Sequence, residues 1–357
     1  MDGGTVRAGA VIDFGTARAA QRPVAGVAVA ARILRELALA GFTVAWIGVS
    51  SGQTIDPLIL AEIHRLAPGM KVHVEAPPAT ARIARFPADR LIPAAAIPDF
   101  LAGRPYPFTR LDSLGTAAEI LRQTGKPTDG IVSRWFNRPI SRRLSALLLR
   151  MPGMKPLYAT LGTGAIAVAM FVALVFGGRS GLVAGAVLFQ GASVFDGVDG
   201  EIARATYRTS RTGAALDSAI DAATNVAAML GLAINLAERG EPRALALVAW
   251  GLALLVLGLT IIGRRSLRET GSVSFDGVKH RYRGRFSGPL TARLMALATL
   301  GTSRDFCALV YLVLVLAGVP IYGLYLFAVV TPVWILFVGA ALRPSRRGDT
   351  AAPEGAG

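Results

Sequence analysis

Over the first 150 residues no apolar run reaches the length of a bilayer crossing, and short strand-like and helix-like pieces alternate. Val11-Ile12-Asp13-Phe14 is a short apolar run. Val24 to Leu39 has helical spacing and stops at Gly41, and Phe42 to Val49 reads as a buried strand. Leu58 to Leu66 predicts a second helix and Lys71 to Glu75 a further strand. Strands alternating with helices predict a parallel α/β layer, here a Rossmann-like domain over residues 1–105. Residues 76–130 hold many of the prolines and several polar breaks, and read as the end of that domain and a linker. Asp2 stands where a signal peptide has its basic stretch, and no compact apolar region with a small-residue cleavage site follows. The domain is therefore expected in the cytoplasm.

In residues 133–150, Trp135, Phe136, Leu144, Leu147 and Leu148 can share a helical face, flanked by Arg138, Arg142, Arg143 and Arg150. Two readings stand: a helix lying on an anionic leaflet, or a soluble helix packed on its own domain. Linker and helix together take residues 106–153. From residue 156 the pattern changes. Six apolar segments follow, at about 156–177, 180–200, 214–237, 243–263, 304–319 and 321–342. Each is near the roughly 20 residues needed to span a bilayer. The expected fold is an α-helical integral membrane protein with six transmembrane helices over residues 154–345, an N-terminal cytoplasmic α/β domain, and a disordered tail over 346–357.

Charge sharpens this picture. The 357 residues carry 38 Lys+Arg against 23 Asp+Glu, a formal charge of +15, yet only 17% are charged and 53% are apolar. A soluble domain has roughly 25% charged residues, so disorder and an ordinary soluble enzyme are both disfavoured. Arg204, Arg208 and Arg211 follow the second segment. Arg264, Arg265, Arg268, Lys279, Arg281, Arg283, Arg285 and Arg293 lie between the fourth and fifth, and Arg343, Arg346 and Arg347 follow the sixth. The alternate loops are poor in basic residues. The positive-inside rule then places both termini in the cytoplasm of a bacterial inner membrane. Aromatic residues do not interleave with the basic ones, so nucleic acid is not an expected partner. The lone Cys307 excludes a disulfide framework and a cysteine zinc site, and His64, His73 and His280 have no metal-binding spacing.

The candidate chemistry lies where segments two and three meet. Asp196 and Asp199 are three apart and Asp217 and Asp221 four apart, so each pair shares a helix face. Gly200 and Gly213 remove side chains from the faces nearest them. Four carboxylates at membrane depth are costly without compensation, and hard divalent cations supply it. Two helices with two acids each could hold a pair of ions about 4 Å apart, as phosphoryl-transfer sites do. Arg204, one turn on, could meet a phosphate. The competing reading is that these aspartates cap helices or pair with Arg204, Arg208 and Arg211.

The run Asp196-x2-Asp199-Gly200-x2-Ala203-Arg204-x8-Gly213-x3-Asp217-x3-Asp221 resembles the signature of the CDP-alcohol phosphotransferases. The resemblance covers about residues 133–342. It implies a six-helix membrane enzyme that uses divalent metal, Mg²⁺ or Mn²⁺, to displace CMP from a CDP-alcohol by an acceptor hydroxyl. It further implies Asp196, Asp199, Asp217 and Asp221 as metal ligands, with Asp221 also removing the acceptor's proton. Asp199, Gly200, Ala203, Arg204 and Gly213 would form the nucleotide pocket. One departure stands out: where many members have Thr-Pro-Asn-x-x-Thr, this chain has Lys155-Pro156-Leu157-Tyr158-Ala159-Thr160. Arg304, opening the fifth segment after Ser303, reads either as a ligand for an acceptor phosphate, such as a polyol phosphate, or as a membrane-side anchor. Members of the family often form dimers, which implies a homodimer; no interface is fixed by the sequence.

Arg22-Pro23-Val24-Ala25-Gly26, leading into a helix and then a strand, is similar to the opening of sugar nucleotidyltransferases. Residues 126–139 resemble the junction of fusions that make CDP-inositol and then join it to inositol phosphate. Asp13-Phe14-Gly15-Thr16-Ala17-Arg18 holds one glycine where an active nucleotidyltransferase needs a glycine-rich phosphate loop. Asp89 reads as a relic of a metal-binding acid. The domain is expected to be degenerate. The alternatives are an active bifunctional enzyme with its own cytidylyltransferase, or a non-catalytic membrane scaffold or transporter.

Overall fold

The computed structural model describes residues 9–78, 83–111, 115–126, 129–270 and 304–342. The basic residues Lys279 to Arg293, His280, Ser303, and the tail with Arg343, Arg346 and Arg347 lie outside the described residues. Two compact units divide the chain: Met1–Asp129 with Arg138–Leu161 and Phe195–Leu216, and Gly130–Asn137 with Gly162–Val194 and Asp217–Gly357.

The first unit is built on a parallel sheet. β1 (Gly9–Gly15), β4 (Val44–Val49), β5 (Lys71–His73) and β6 (Ile83–Phe86) lie in the order β5-β4-β1-β6. Val11 registers with Trp46, and Ile12 with Phe86. Ile12 and Ile47 are wholly buried because helices cover the sheet. Those helices are α1 (Ala17–Gln21), α2 (Val29–Leu39) and α3 (Pro57–Leu66). α3 starts where it does because Asp56 accepts a hydrogen bond from the Leu58 amide at 2.8 Å and proline fills the first helical position.

Two segments differ from their sequence reading. The helical spacing from Val24 is realised only from Val29, because Ala25 (φ 46°) and Gly26 (φ 79°) turn the chain between β2 (Pro23–Val24) and β3 (Val27–Ala28). Two successive positive φ values are what a two-residue hairpin turn demands, and they exclude a helix. Residues 76–130, read as domain end and linker, contain β6 of the sheet. They also contain a hairpin of β7 (Arg90–Leu91) and β8 (Thr109–Arg110), and helices α4 (Ile97–Leu101) and α5 (Thr116–Gln123).

Residues 133–148 are helical, a π-type turn over Ser133–Asn137 running into α6 (Arg138–Leu148). Trp135, Phe136 and Leu147 are exposed, as the amphipathic pattern predicts, but Arg138 does not flank that face. It is buried with Ser141 and Ser145, and all three donate to Glu201, which has no exposed surface. Arg138 also pairs with Asp129 at 2.9 Å. Helical period gives the amphipathic face; it does not reveal that a buried carboxylate draws an arginine to the other side.

Burial pushes the Asp129 carboxyl up, but the Arg138 guanidinium outweighs this and holds it below the usual carboxylate range. The same balance, set by Arg65 and Arg208, lowers Glu62. Both folded values sit below the unfolded ones, so both ion pairs stabilise fully above about pH 4 to 4.5 and are lost as pH falls through the folded values. The thermal midpoint should therefore drop as pH is lowered from about 5 to 3, and Asp129→Asn should flatten the fall. An equally steep fall in that variant would refute the assignment.

The helices after residue 155 are α7 (Pro156–Phe176), α8 (Gly178–Ala205), α9 (Arg211–Glu238), α10 (Arg243–Thr270), α11 (Arg304–Leu316) and α12 (Ile321–Leu342). Among the described residues four helices are long and apolar enough to cross a membrane: α7, α8, α9 and Arg243–Ile261 of α10. α11 has 13 residues, and Ile321–Val333 of α12 is a shorter apolar helical stretch. The core of the second unit gathers Met170, Leu174, Phe189, Leu232, Tyr311 and Leu324. Gly185 permits a close approach, since a Cβ there would lie 2.4 Å from Leu174 Cδ2. Asn235 Nδ2 donates to the Leu174 and Gly178 carbonyls, satisfying backbone at the end of α7 that lipid cannot.

Candidate metal and nucleotide site

α8 carries Asp196 and Asp199, and α9 carries Asp217 and Asp221. Asp196 lies in the first unit and Asp217 and Asp221 in the second, and all three residues are half-buried. Asp217 and Asp221 are one turn apart on α9, and a pair of carboxylates on one helix face suits a hard divalent cation. Asp199 belongs to the first unit. It is buried and accepts a 2.7 Å hydrogen bond from Thr160 Oγ1. Thr160 belongs to the Lys155–Thr160 stretch compared above, and its bond to Asp199 cannot be read from the sequence.

The residues expected to form a nucleotide pocket surround the end of α8. A Cβ on Gly200 would lie 2.9 Å from Arg204 Nη1, so the glycine leaves room for the guanidinium. Arg204 Nε donates to the Thr124 carbonyl at 2.7 Å. The Ala203 carbonyl accepts from the Arg208 amide at 2.8 Å. The Gly213 amide donates to Ser210 Oγ at 3.0 Å, so Ser210 caps α9.

Arg304 opens α11 and forms an ion pair with Asp221. It also lines a cavity of about 270 Å³ in the second unit, together with Asn225, Cys307, Tyr311 and Thr331 among apolar residues. Beside it, Asp305 accepts from Ser193 Oγ at 2.7 Å and from Asn137 Nδ2 at 2.9 Å, and Gln190 donates to Asn137. This polar network is not legible in the sequence beyond an acid following Arg304 at the start of an apolar helix.

In the α/β domain the loop after β1 is answered from within. The Gly15 amide donates to Asp13 Oδ1 (2.9 Å), Ala17 to Gln53 Oε1 (2.6 Å) and Ala19 to Thr16 Oγ1 (3.2 Å). Asp89 is half-buried, lies 3.7 Å from Arg90, and joins no metal-capable group among the described residues.

The model of one family, CDP-alcohol phosphatidyltransferase, matches residues 155–334. Three curated relatives are each named bifunctional IPC transferase and DIPP synthase. The protein from Thermococcus kodakarensis is 33% identical over 179 residues, 50% of this chain and 35% of its own. That from Aquifex aeolicus is 32% identical over 177 residues, 50% of this chain and 36% of its own. That from Archaeoglobus fulgidus is 37% identical over 95 residues, 26% of this chain and 18% of its own. The chain thus spans about a third of the length of the first two relatives.

Proposed function

We infer the function from the premise that this chain belongs to the CDP-alcohol phosphatidyltransferase family. The proposed reaction moves a substituted phosphate group from a CDP-alcohol to an acceptor hydroxyl. The acceptor oxygen bonds to the phosphorus that carries the alcohol, the bond from that phosphorus to the bridging oxygen breaks, and CMP leaves with that oxygen. The observation that carries this reading is the family match over residues 155–334, which takes in all four aspartates.

In this reading Asp196, Asp199, Asp217 and Asp221 hold Mg²⁺ or Mn²⁺, two ions in all. The metal, when bound, neutralises the diphosphate and stabilises charge on departing CMP. Asp221 also takes the proton of the acceptor hydroxyl. Gly200, Ala203, Arg204 and Gly213 line the nucleotide. Thr160 supports the reading of Asp199 as a ligand, because its hydroxyl fixes one carboxylate oxygen and so orients the other.

Arg304, beside Asp221, is assigned to a phosphate on the acceptor, which makes a polyol phosphate the favoured acceptor class. Arg304→Ala should raise KM for a phosphorylated acceptor by about 10- to 100-fold, the loss of one charged hydrogen bond. An unphosphorylated acceptor should show a smaller rise in KM, since it loses only what the Arg304–Asp221 ion pair contributes. Equal effects on both acceptors would remove Arg304 from this role.

The proposed organisation has an α/β domain over 1–105, linker and interfacial helix over 106–153, six crossings within 154–345, and both termini in the cytoplasm of an inner membrane. α11 and α12 supply the fifth and sixth crossings. A second reading, a bifunctional chain, is favoured by the relatives' names. The occupied amides after β1 favour a degenerate domain instead, since a triphosphate needs donors that are open.

The test is CMP release by detergent-purified protein with Mg²⁺ or Mn²⁺, offering CDP-diacylglycerol or CDP-inositol against polyols and polyol phosphates. A parallel arm offers CTP with inositol phosphate. Metal-dependent CMP release is expected from the first arm and no CDP-inositol from the second. Folded protein that binds neither metal nor CDP-alcohols would overturn the reading.

A further inference from the structure

The five residues 206–210 that join α8 to α9 begin in an unfavourable backbone conformation. Tyr207 has φ 56°, the left-handed region. Helices commonly end on such a residue, usually glycine, because a Cβ there crowds the backbone. The Arg208 amide bonds back to the Ala203 carbonyl at 2.8 Å, closing the helix end around the tyrosine.

Arginines of the α/β domain hold this turn. Arg32 of α2 is 1% exposed, the largest fully buried side chain among the described residues. It donates to the Ala205 carbonyl at 2.7 Å and to Tyr207 Oη at 3.1 Å. Its other bonds go to the carbonyls of Val24 and Ala25 in the β2–β3 hairpin. Arg65 of α3 donates to the carbonyls of Thr206 and Tyr207, both at 3.0 Å. Glu62 binds Arg65 and also Arg208. The guanidinium of Arg35 lies 4.1 Å from the centre of the Tyr207 ring. Three consecutive carbonyls at a helix C-terminus, groups ordinarily left to water, are thus taken by cations that also suit the helix dipole. The hairpin itself presses on the same place, since a Cβ on Gly26 would lie 3.2 Å from Thr206 Cγ2. The Arg22–Gly26 stretch, similar to a nucleotidyltransferase opening, is here part of a grip on another helix.

We propose that the α/β domain is a clamp on the turn between the two signature helices, with Arg32 and Arg65 as positioning residues for the metal-binding and nucleotide-binding groups of α8. The inference rests on the transferase reading above for what those groups bind. Ala205 is one residue beyond Arg204 and six beyond Asp199 on one continuous helix. At about 1.5 Å per residue, the grip acts within roughly 9 Å of the carboxylate. Guanidinium groups fixing three carbonyls set where that helix ends, and hence the height and rotation of Asp196, Asp199 and Arg204.

The full chain in detergent tests this by Mn²⁺ titration followed by electron paramagnetic resonance, alongside the metal dependence of CMP release. Arg65→Ala alters a partly exposed side chain, and Tyr207→Gly suits the left-handed turn while removing the ring that the arginines hold; both should stay folded. Each is expected to weaken Mn²⁺ binding about tenfold, the usual scale for a group that orients a ligand, and to raise the metal needed for half-maximal CMP release by the same factor. Arg65→Lys should restore part of the loss. Unchanged Mn²⁺ affinity in both variants, with melting temperature near that of the unaltered protein, would overturn the clamp. So would an unaltered protein that binds no Mn²⁺. If it binds Mn²⁺ but no donor–acceptor pair yields CMP, the transferase reading falls and the titration alone decides the clamp.

Discussion

Asp221→Asn is expected to lower metal-dependent CMP release by at least about 10³-fold, the largest effect of any single substitution in this chain. Asparagine keeps the size of the side chain but cannot accept a proton in the useful pH range, and general-base removal alone costs roughly 10²- to 10⁴-fold. The same change removes one carboxylate of the α9 pair, and with it the ion pair with Arg304. Loss of charge and loss of base therefore act together. The measurement is kcat at saturating donor, acceptor and metal, with the variant's melting temperature as control. A folded variant retaining a tenth of the activity would remove Asp221 from the base role.

Glu201→Ala is expected to produce the largest loss of stability. The carboxylate has no exposed surface and accepts from Arg138 Nη1 at 3.0 Å and from Ser141 and Ser145 at 2.7 Å each. Alanine would leave a buried guanidinium and two buried hydroxyls facing a void. Breaking a buried ion pair from one side costs about 3–5 kcal/mol, and α6 would lose its anchor on α8. Glu201→Gln should cost less, because its carbonyl still accepts. Thermal unfolding in detergent gives the ranking. An alanine variant as stable as the glutamine variant would show that the cluster is not what joins these helices.

The sequence discloses features that repeat or that have one dominant energy. Helices α7 to α10 are legible because apolar length is a requirement of the bilayer. The aspartates are legible because spacings of three and four place side chains on one helix face, whatever surrounds them. The strands near Ile12 and Ile47 are legible from apolar runs bounded by glycine and polar residues. What stays hidden depends on a distant partner. Arg138 has the pattern of a leaflet-facing arginine, and only Glu201, 63 positions on, turns it inward. Arg304 supports two readings from the sequence, and neither reveals its ion pair with Asp221. Arg32 sits in an amphipathic helix as any surface arginine would, yet it is buried because α8 presents an open carbonyl to it. β6 is four residues among prolines, too short for its period to register, and it joins the sheet because β1 offers it an edge.

The amides at the end of β1 and the start of α1 carry a consequence for the order of the α/β domain. A loop whose amides wait for a bound phosphate loses order when the phosphate is absent. Here Asp13, Gln53 and Thr16 supply the oxygens from within. The turn therefore keeps its shape without a ligand. Any anion placed there would have to displace these internal acceptors, each at the cost of a hydrogen bond.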